Sequence, residues 1–237
     1  MKRLLLLHLL ASLITSAYSI PFSNIFFKNV FKEESAFKNS SKFKAYFDPE
    51  NILHELKESD KKNAPKLINN SNGTKTIIYK TNKFQKNITK KELLNLIKNP
   101  KSFKNEQSFI KDSFENLKKY GIKITFIKES EDFAAKWNPS EKILTINKNI
   151  IELGSLIFAE VLNHEMIHIA QSCKAGSINA YPNLIGLKVS LNIEKKYLLS
   201  KDIYKDITKL EKSLENEAYT YQSDLNMGKF LIKKYCN

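Results

Sequence analysis

The chain has 237 residues, which is enough for one domain, or one and a half, with a sizeable hydrophobic core. Its 39 basic and 25 acidic residues give a net charge of +14, and Arg3 is the only arginine. Proteins that read nucleic-acid sequence use the planar fork of arginine, which lysine cannot copy, so this composition argues against sequence-specific nucleic-acid binding. The charge then indicates a lysine-rich solvated surface, or attraction to an anionic surface.

The first predicted element is an export signal. A basic start precedes an apolar run over residues 4–14, and small residues follow that run. Because the run is short for a membrane span, the pattern predicts a signal peptide over 1–19 that is cleaved after Ala17 or Ser19. An uncleaved membrane anchor is the alternative. In both cases we expect the rest of the chain to be exported, either to a periplasm or out of the cell.

Two regions with different signals follow. Residues 20–88 mix lysine, asparagine and serine with scattered phenylalanines, a composition that predicts a loosely structured N-terminal region. From Thr89 onward the signals are sharper. Thr89 and Glu92 have the spacing of a capping box, and apolar residues at helical spacing continue to a stop signal at Gly121. We therefore predict two helices in this stretch.

Strands are predicted next. Apolar and polar residues alternate over 121–127, which is the period of a half-buried strand. Two further strands flank a turn at 138–141 and predict a hairpin that ends near Ile146. Together these strands predict a small antiparallel sheet, with an edge strand near 142–146.

A long buried helix is predicted after the sheet. It should run from about Leu153 to Cys173 or Lys174, with Gly176 as its stop signal. Apolar residues occupy most of its circumference, which is typical of a central helix with little solvated face. The polar side chains within it therefore need a specific reason to be buried.

The polar residues of this helix have the spacing of a metal site. His164 and His168 lie one turn apart and about 40° apart in projection, so both rings can converge on one ion. Glu165 is offset by about 100°, which places its carboxylate beside the ion, where it can hold a water molecule. Gln171 returns to the same face and is predicted to support a ligand, with a simple interior hydrogen bond as the alternative.

The two cysteines, Cys173 and Cys236, are predicted to pair. Export places them in an oxidising compartment, and two cysteines allow only one disulfide. Cys173 does not suit the metal site, because it lies about 140° around the helix from His168. The disulfide would tie the C-terminus to the end of the histidine helix.

A third metal ligand is expected from a later helix, because two histidines do not complete a tetrahedral site. An apolar stripe over 203–225 predicts such a helix, which carries Glu215 and Glu217. Periodicity places Glu217 on the stripe and Glu215 about 100° from its centre, so periodicity alone favours Glu217. Both glutamates remain candidates on this pattern.

The sequence HEMIH at 164–168, followed by ENEA from Glu215, resembles the gluzincin metallopeptidases, whose third zinc ligand is a glutamate on a later helix. In that family a small residue commonly follows the glutamate by three positions, as Ala218 follows Glu215, so the resemblance selects Glu215. It covers roughly residues 121–226. The chain departs from the family pattern at Tyr219, where many members have an aspartate that orients a zinc histidine.

The resemblance implies an α+β, zincin-like fold that is mostly helical, with a small antiparallel sheet before the HExxH helix and residues 89–237 as the metal-binding domain. It implies Zn²⁺ as cofactor, held by the two histidines and Glu215, and Glu165 as the base that activates water to hydrolyse a peptide or protein substrate. An edge strand near 142–146 would pair with that substrate. Two alternatives stay open: a non-catalytic zinc-binding structural or binding protein of the cell envelope, and a basic envelope-surface binder.

Overall fold

A computed structural model describes residues 48–80, 88–128, 133–201 and 204–236. The described chain has a mixed α+β fold, which confirms the predicted class. The predicted signal peptide and its cleavage sites lie outside the described residues. Within the described ranges, no helix combines the length and the apolar character needed to cross a bilayer.

The described residues fall into two compact units, and the smaller one comprises residues 62–101. It contains an antiparallel hairpin and a helix, namely β1 (Lys66–Asn69), β2 (Lys75–Ile78) and α2 (Lys90–Lys98). The capping box predicted for α2 is confirmed: Glu92 N donates to Thr89 Oγ1 at 3.3 Å, and Thr89 N donates to Glu92 Oε2 at 2.7 Å. The N-terminal region therefore contains regular elements in its described part.

The larger unit comprises residues 48–61 and 102–236. Its helices are α1 (Pro49–Asn63), α3 (Lys104–Lys119), α4 (Ser155–Lys174), α5 (Ile193–Leu199), α6 (Lys209–Tyr221) and α7 (Leu225–Tyr235). Helix α4 is the central element and packs against α3, α6 and α7. Every residue from Val161 to Cys173 is buried, which confirms the prediction of a central helix with little solvated face.

Helix α4 begins two residues later than its apolar pattern indicates. The preceding residues, Lys148–Leu153, form a short 3-10 helix instead. Gly154 separates it from α4 and has a φ of 92°, a conformation that favours glycine. Gly154 offers no side chain to cap α4. Instead, Asp60 of α1 accepts hydrogen bonds from Ser155 N at 2.7 Å and Ser155 Oγ at 2.6 Å, so a distant carboxylate caps the helix.

The sheet before α4 differs from the predicted one. Its strands are β3 (Lys123–Ile127), β4 (Ala135–Asn138) and β5 (Ile143–Asn147), in the order β3-β5-β4. The hairpin of β4 and β5 is antiparallel as predicted, but β3 runs parallel to β5, so the prediction of an antiparallel sheet is wrong for β3. The edge strand near 142–146 is also wrong, because β5 lies at the centre and β4 at an edge. Alternation reports which faces of a strand are buried and contains no information on its direction or its neighbours.

The connection between α6 and α7 is fixed to α4 by one buried amide. Asn163 Nδ2 donates to the backbone carbonyls of Tyr221, Gln222 and Asp224 at 3.0, 2.9 and 2.8 Å. Asn163 Oδ1 accepts a hydrogen bond from Gly228 N at 2.9 Å. Because four backbone groups converge on this side chain, the end of α6 has a defined position relative to α4.

The predicted disulfide between Cys173 and Cys236 is confirmed. It joins the last turn of α4 to the residue that follows α7. Helix α7 is therefore attached to α4 at both of its ends, by the disulfide at one end and by the Asn163 hydrogen bonds at the other.

Candidate metal centre

Two helices bring three potential metal ligands together. His164 and His168 lie on one face of α4, and Glu215 projects from the facing helix α6. The two Nε2 atoms are 3.0 Å apart, and Glu215 oxygens lie 3.2 Å from His164 Nε2 and 3.4 Å from His168 Nε2. All three residues are almost completely buried. They form a cluster in which one ligand atom from each could hold a metal ion.

These separations suit a tetrahedral ion. Zinc binds histidine nitrogen and carboxylate oxygen at about 2.0–2.2 Å, and tetrahedral angles then place neighbouring ligand atoms roughly 3.3 Å apart. The two Nε2 atoms are 3.0 Å apart; the distances of 3.2 and 3.4 Å to Glu215 end on its Oε2 and Oε1 respectively, and one ligand atom from each residue lies within 4.8 Å of the others. Two nitrogens and one carboxylate are also a donor set that Zn²⁺ accepts readily. The residues therefore fit the ion that the resemblance implies.

Charge is divided unequally between the two histidines. Burial lowers the pKa of His168, but the charges of Glu215 and Glu165 and the hydrogen bonds of Glu215 and Gln171 together outweigh burial and raise that pKa to about 9. Burial lowers the pKa of His164 to about 4, so His164 is neutral at pH 7. Burial would raise the pKa of Glu215, yet the charge of His168 and hydrogen bonds from both rings lower it to about 2. The side chains alone therefore form an ion pair between His168 and Glu215, and binding of a metal cation would displace the His168 proton.

Glu165 is a buried carboxyl beside this cluster. Its side chain is inaccessible to solvent, and neither oxygen accepts a hydrogen bond of ordinary geometry from the described residues. Burial raises its pKa to about 7, while the charge of His168 and the backbone amide of Trp137 act in the opposite direction. Burying a carboxyl without ordinary hydrogen bonds costs folding free energy, and packing alone gives no reason for it. The burial of Glu165 therefore indicates a chemical role.

Gln171 lies against His168, a contact that both predicted roles of Gln171 share. Its Oε1 lies 2.7 Å from His168 Nδ1, the ring nitrogen on the side away from Glu215. Its amide nitrogen donates to Leu214 O at 3.1 Å and to Glu217 Oε2 at 3.0 Å. Gln171 therefore connects His168 of α4 with α6, the helix that carries Glu215.

Glu217, the alternative third ligand, lies away from the histidines. Its carboxylate accepts hydrogen bonds from three consecutive backbone amides: Ile185 N at 3.0 Å, Gly186 N at 2.7 Å and Leu187 N at 2.8 Å. With the Gln171 amide, four N–H groups surround this carboxylate. The structure thus brings Glu215 to the cluster and uses Glu217 to bind a backbone segment.

Tyr219 and Gln222 were not predicted as part of the site. The Tyr219 ring packs edge-on against His164, with ring centroids 4.7 Å apart, and its hydroxyl is 2.9 Å from that of Tyr204. It offers no carboxylate to His164. Gln222 Oε1 lies 3.3 Å from His164 Nδ1, so an amide just beyond α6 contacts the nitrogen that an aspartate at 219 would be expected to orient.

Strand β4 brings the backbone amide of Trp137 to the Glu165 carboxyl. Asn147 N donates to Ala134 O at 2.8 Å, and alternation along this antiparallel pair leaves the N–H and C=O of Trp137 pointing away from β5. The influence of the Trp137 amide on the pKa of Glu165 places that N–H close to the carboxyl. The indole Nε1 donates to Ser172 Oγ at 3.0 Å, which fixes Trp137 against α4.

No protein-family model, curated protein or solved structure matches this chain.

Proposed function

We propose that this chain is an exported, zinc-dependent metallopeptidase of the gluzincin type. The observation that carries the proposal is Glu165, a buried carboxyl without ordinary hydrogen bonds beside a cluster of two histidines and a glutamate. Structural zinc sites use four protein ligands, whereas hydrolytic sites use three ligands and a nearby base. The side chains gathered here match the second arrangement.

The order of elements supports a zincin-like domain. A small sheet precedes α4, which carries the histidines, and α6 follows with the glutamate. The disulfide between Cys173 and Cys236 supports export, because such bonds persist in oxidising compartments.

The chemistry follows from the positions of the side chains. Zn²⁺ in this site would supply a Lewis acid that lowers the pKa of water and polarises a carbonyl oxygen. His164, His168 and Glu215 would hold it. Glu165 would take a proton from the attacking water onto a carboxylate oxygen and deliver it to the nitrogen of the departing amine.

The outward N–H and C=O groups of Trp137 support a peptide substrate. A peptide can add to the edge of a sheet through such backbone groups, and the Trp137 N–H is the one that acts on the Glu165 carboxyl. Both Trp137 and the cluster are fully covered. A substrate would therefore reach the site only after the covering chain moves, so we expect slow turnover that depends on this opening.

The same burial favours a second function. A centre closed to solvent is typical of structural zinc, so a non-catalytic zinc-binding protein of the cell envelope is the alternative. The two functions differ in what they require of Glu165, because a structural site has no use for a base.

Glu165→Gln therefore separates the two functions. The chain without residues 1–19 would be loaded with zinc and incubated with unfolded casein, and new peptides would be counted by mass spectrometry. Glu115→Gln makes the same change at an exposed position of α3 and is the matched control. We expect cleavage by wild type and by the control, and none by Glu165→Gln at equal zinc content. Equal cleavage by all three proteins, or no cleavage by any zinc-loaded protein, would contradict the proposal.

A further inference from the structure

We infer that Glu217 is a positioning residue of the metal centre. It sets the orientation of the Gln171 amide, and through that amide it decides which nitrogen of His168 presents a lone pair to the metal. The inference rests on the metal centre of the proposed function. It assigns a role to a carboxylate that neither touches the cluster nor takes part in the proposed proton transfer.

The first step concerns the two ends of the Gln171 amide. One end contacts Leu214 O at 3.1 Å and Glu217 Oε2 at 3.0 Å. A carbonyl and a carboxylate only accept hydrogen bonds, so the NH₂ group must face them. The amide oxygen therefore faces His168, at 2.7 Å from Nδ1.

The second step concerns the His168 ring. An oxygen acceptor beside Nδ1 requires the proton of the neutral ring to be on Nδ1. The lone pair is then on Nε2, the nitrogen that lies 3.4 Å from Glu215 Oε1 inside the cluster. Only this tautomer can bind a metal there. Hydrogen-bond partners of this kind orient metal-bound histidines and raise their basicity.

The third step concerns Glu217. Ile185 N and the Gln171 amide occupy Oε2, and Gly186 N and Leu187 N occupy Oε1. These contacts hold the carboxylate in place. Glu217 is also buried, with an exposed fraction of 2%. The backbone of 185–187 is thereby connected to His168 through Glu217 and Gln171.

Glu217→Gln replaces one acceptor oxygen of residue 217 with a donor NH₂ group, with almost no change in size. Gly186 N and Leu187 N would hold the single oxygen of the new side chain, so its NH₂ group takes the place of Oε2 and faces both Ile185 N and the NH₂ group of Gln171. Rotation of the Gln171 amide removes its conflict with residue 217 and presents an N–H to His168 Nδ1, at the cost of placing the amide oxygen against Leu214 O. This arrangement favours the proton on Nε2, where it blocks metal binding.

Zinc affinity, measured by competition with a chelator, gives the first test. We expect Glu217→Gln to bind zinc about 10–100-fold more weakly than wild type, the usual effect of losing a partner that orients a ligand. Glu115→Gln on the exposed face of α3 is the control and should retain wild-type affinity. A Glu217→Gln protein with wild-type affinity would overturn the inference.

A double variant separates amide orientation from simple damage to the 185–187 contacts. In Gln171→Glu/Glu217→Gln, residue 217 is the same as in the single variant, but the carboxylate at 171 offers His168 an acceptor again and receives the amide N–H of residue 217. The second carboxylate oxygen lies against Leu214 O, which loses its donor, so we expect part of the lost affinity to return. A double variant as weak as Glu217→Gln would show that the loss came from the damaged segment, and would overturn the inference.

Nitrogen-15 NMR of zinc-loaded wild type gives a test that needs no variant. We expect His168 to carry its proton on Nδ1 and to bind zinc through Nε2, and the reverse assignment would overturn the inference even if the variants do not fold. Wild type that takes up no zinc would overturn the proposed function as well. Zinc-binding wild type with the wrong tautomer, or with an unaffected Glu217→Gln variant, would overturn this inference alone.

Discussion

Glu165→Gln should change how the stability of the metal-free protein depends on pH. The pKa of Glu165 in the folded protein is about 7, compared with an ordinary value of 4.5, because the carboxyl is buried. A carboxyl with a raised folded pKa contributes stability that is fully present below the unfolded pKa and is lost as the pH rises through the folded pKa. Glutamine does not titrate, so the variant does not suffer this loss.

The magnitude follows from the two pKa values. Their difference corresponds to roughly 3 kcal/mol over the whole range, at about 1.4 kcal/mol per pKa unit. Part of this stability is already lost at pH 5, where the Glu165 carboxyl of the unfolded chain is mostly ionised. Between pH 5 and pH 8 the variant should therefore gain roughly 2–3 kcal/mol of unfolding free energy relative to wild type.

Urea unfolding in the presence of a chelator measures this gain, with helix content followed by circular dichroism at both pH values. Comparing the two pH values cancels the constant cost of burying the glutamine amide. Glu115→Gln on the exposed face of α3 is the matched control for the chemical change. A stability difference between Glu165→Gln and wild type that is the same at pH 5 and pH 8 would refute the reasoning.

Three further predictions concern the helices around the site. Glu215→Ala should abolish measurable zinc binding, because only two protein ligands remain; a chelator competition that returns wild-type affinity would contradict this. Replacing Cys173 and Cys236 together with alanine should lower the free energy of unfolding by about 4 kcal/mol, since the disulfide spans a sequence separation of 63; urea unfolding without reductant measures the loss. Gly228→Ala should lower the free energy of unfolding by roughly 1–3 kcal/mol, because a Cβ there would approach Asn163 Oδ1 to 2.6 Å. An unchanged thermal midpoint would contradict this and would show that α4 and α7 separate easily.

The histidine helix could be predicted from sequence because its signals are local. Residues four apart share a helix face, so the convergence of His164 and His168 follows from spacing alone. The choice between Glu215 and Glu217 depends on where α6 packs, and both residues prove to be buried. Periodicity favoured Glu217, which lies away from the histidines, whereas the resemblance pointed to the glutamate that the structure places beside them.

The remaining parts of the site depend on contacts between residues far apart in the chain. Gln222 reaches His164 only because Asn163 fixes the connection after α6, and nothing in the spacing of these residues indicates it. The direction of β3 is set by its pairing with β5, which alternation does not encode. The capping of α4 by Asp60 likewise joins residues 95 positions apart.

Anomalous diffraction at the zinc absorption edge, from crystals of the zinc-loaded chain without residues 1–19, tests the proposed metal centre most directly. We expect one strong peak per chain at the point shared by His164 Nε2, His168 Nε2 and a carboxylate oxygen of Glu215, about 2.0–2.2 Å from each. A well-diffracting crystal with no peak at that point, or with zinc bound only elsewhere on the chain, would contradict the proposed centre.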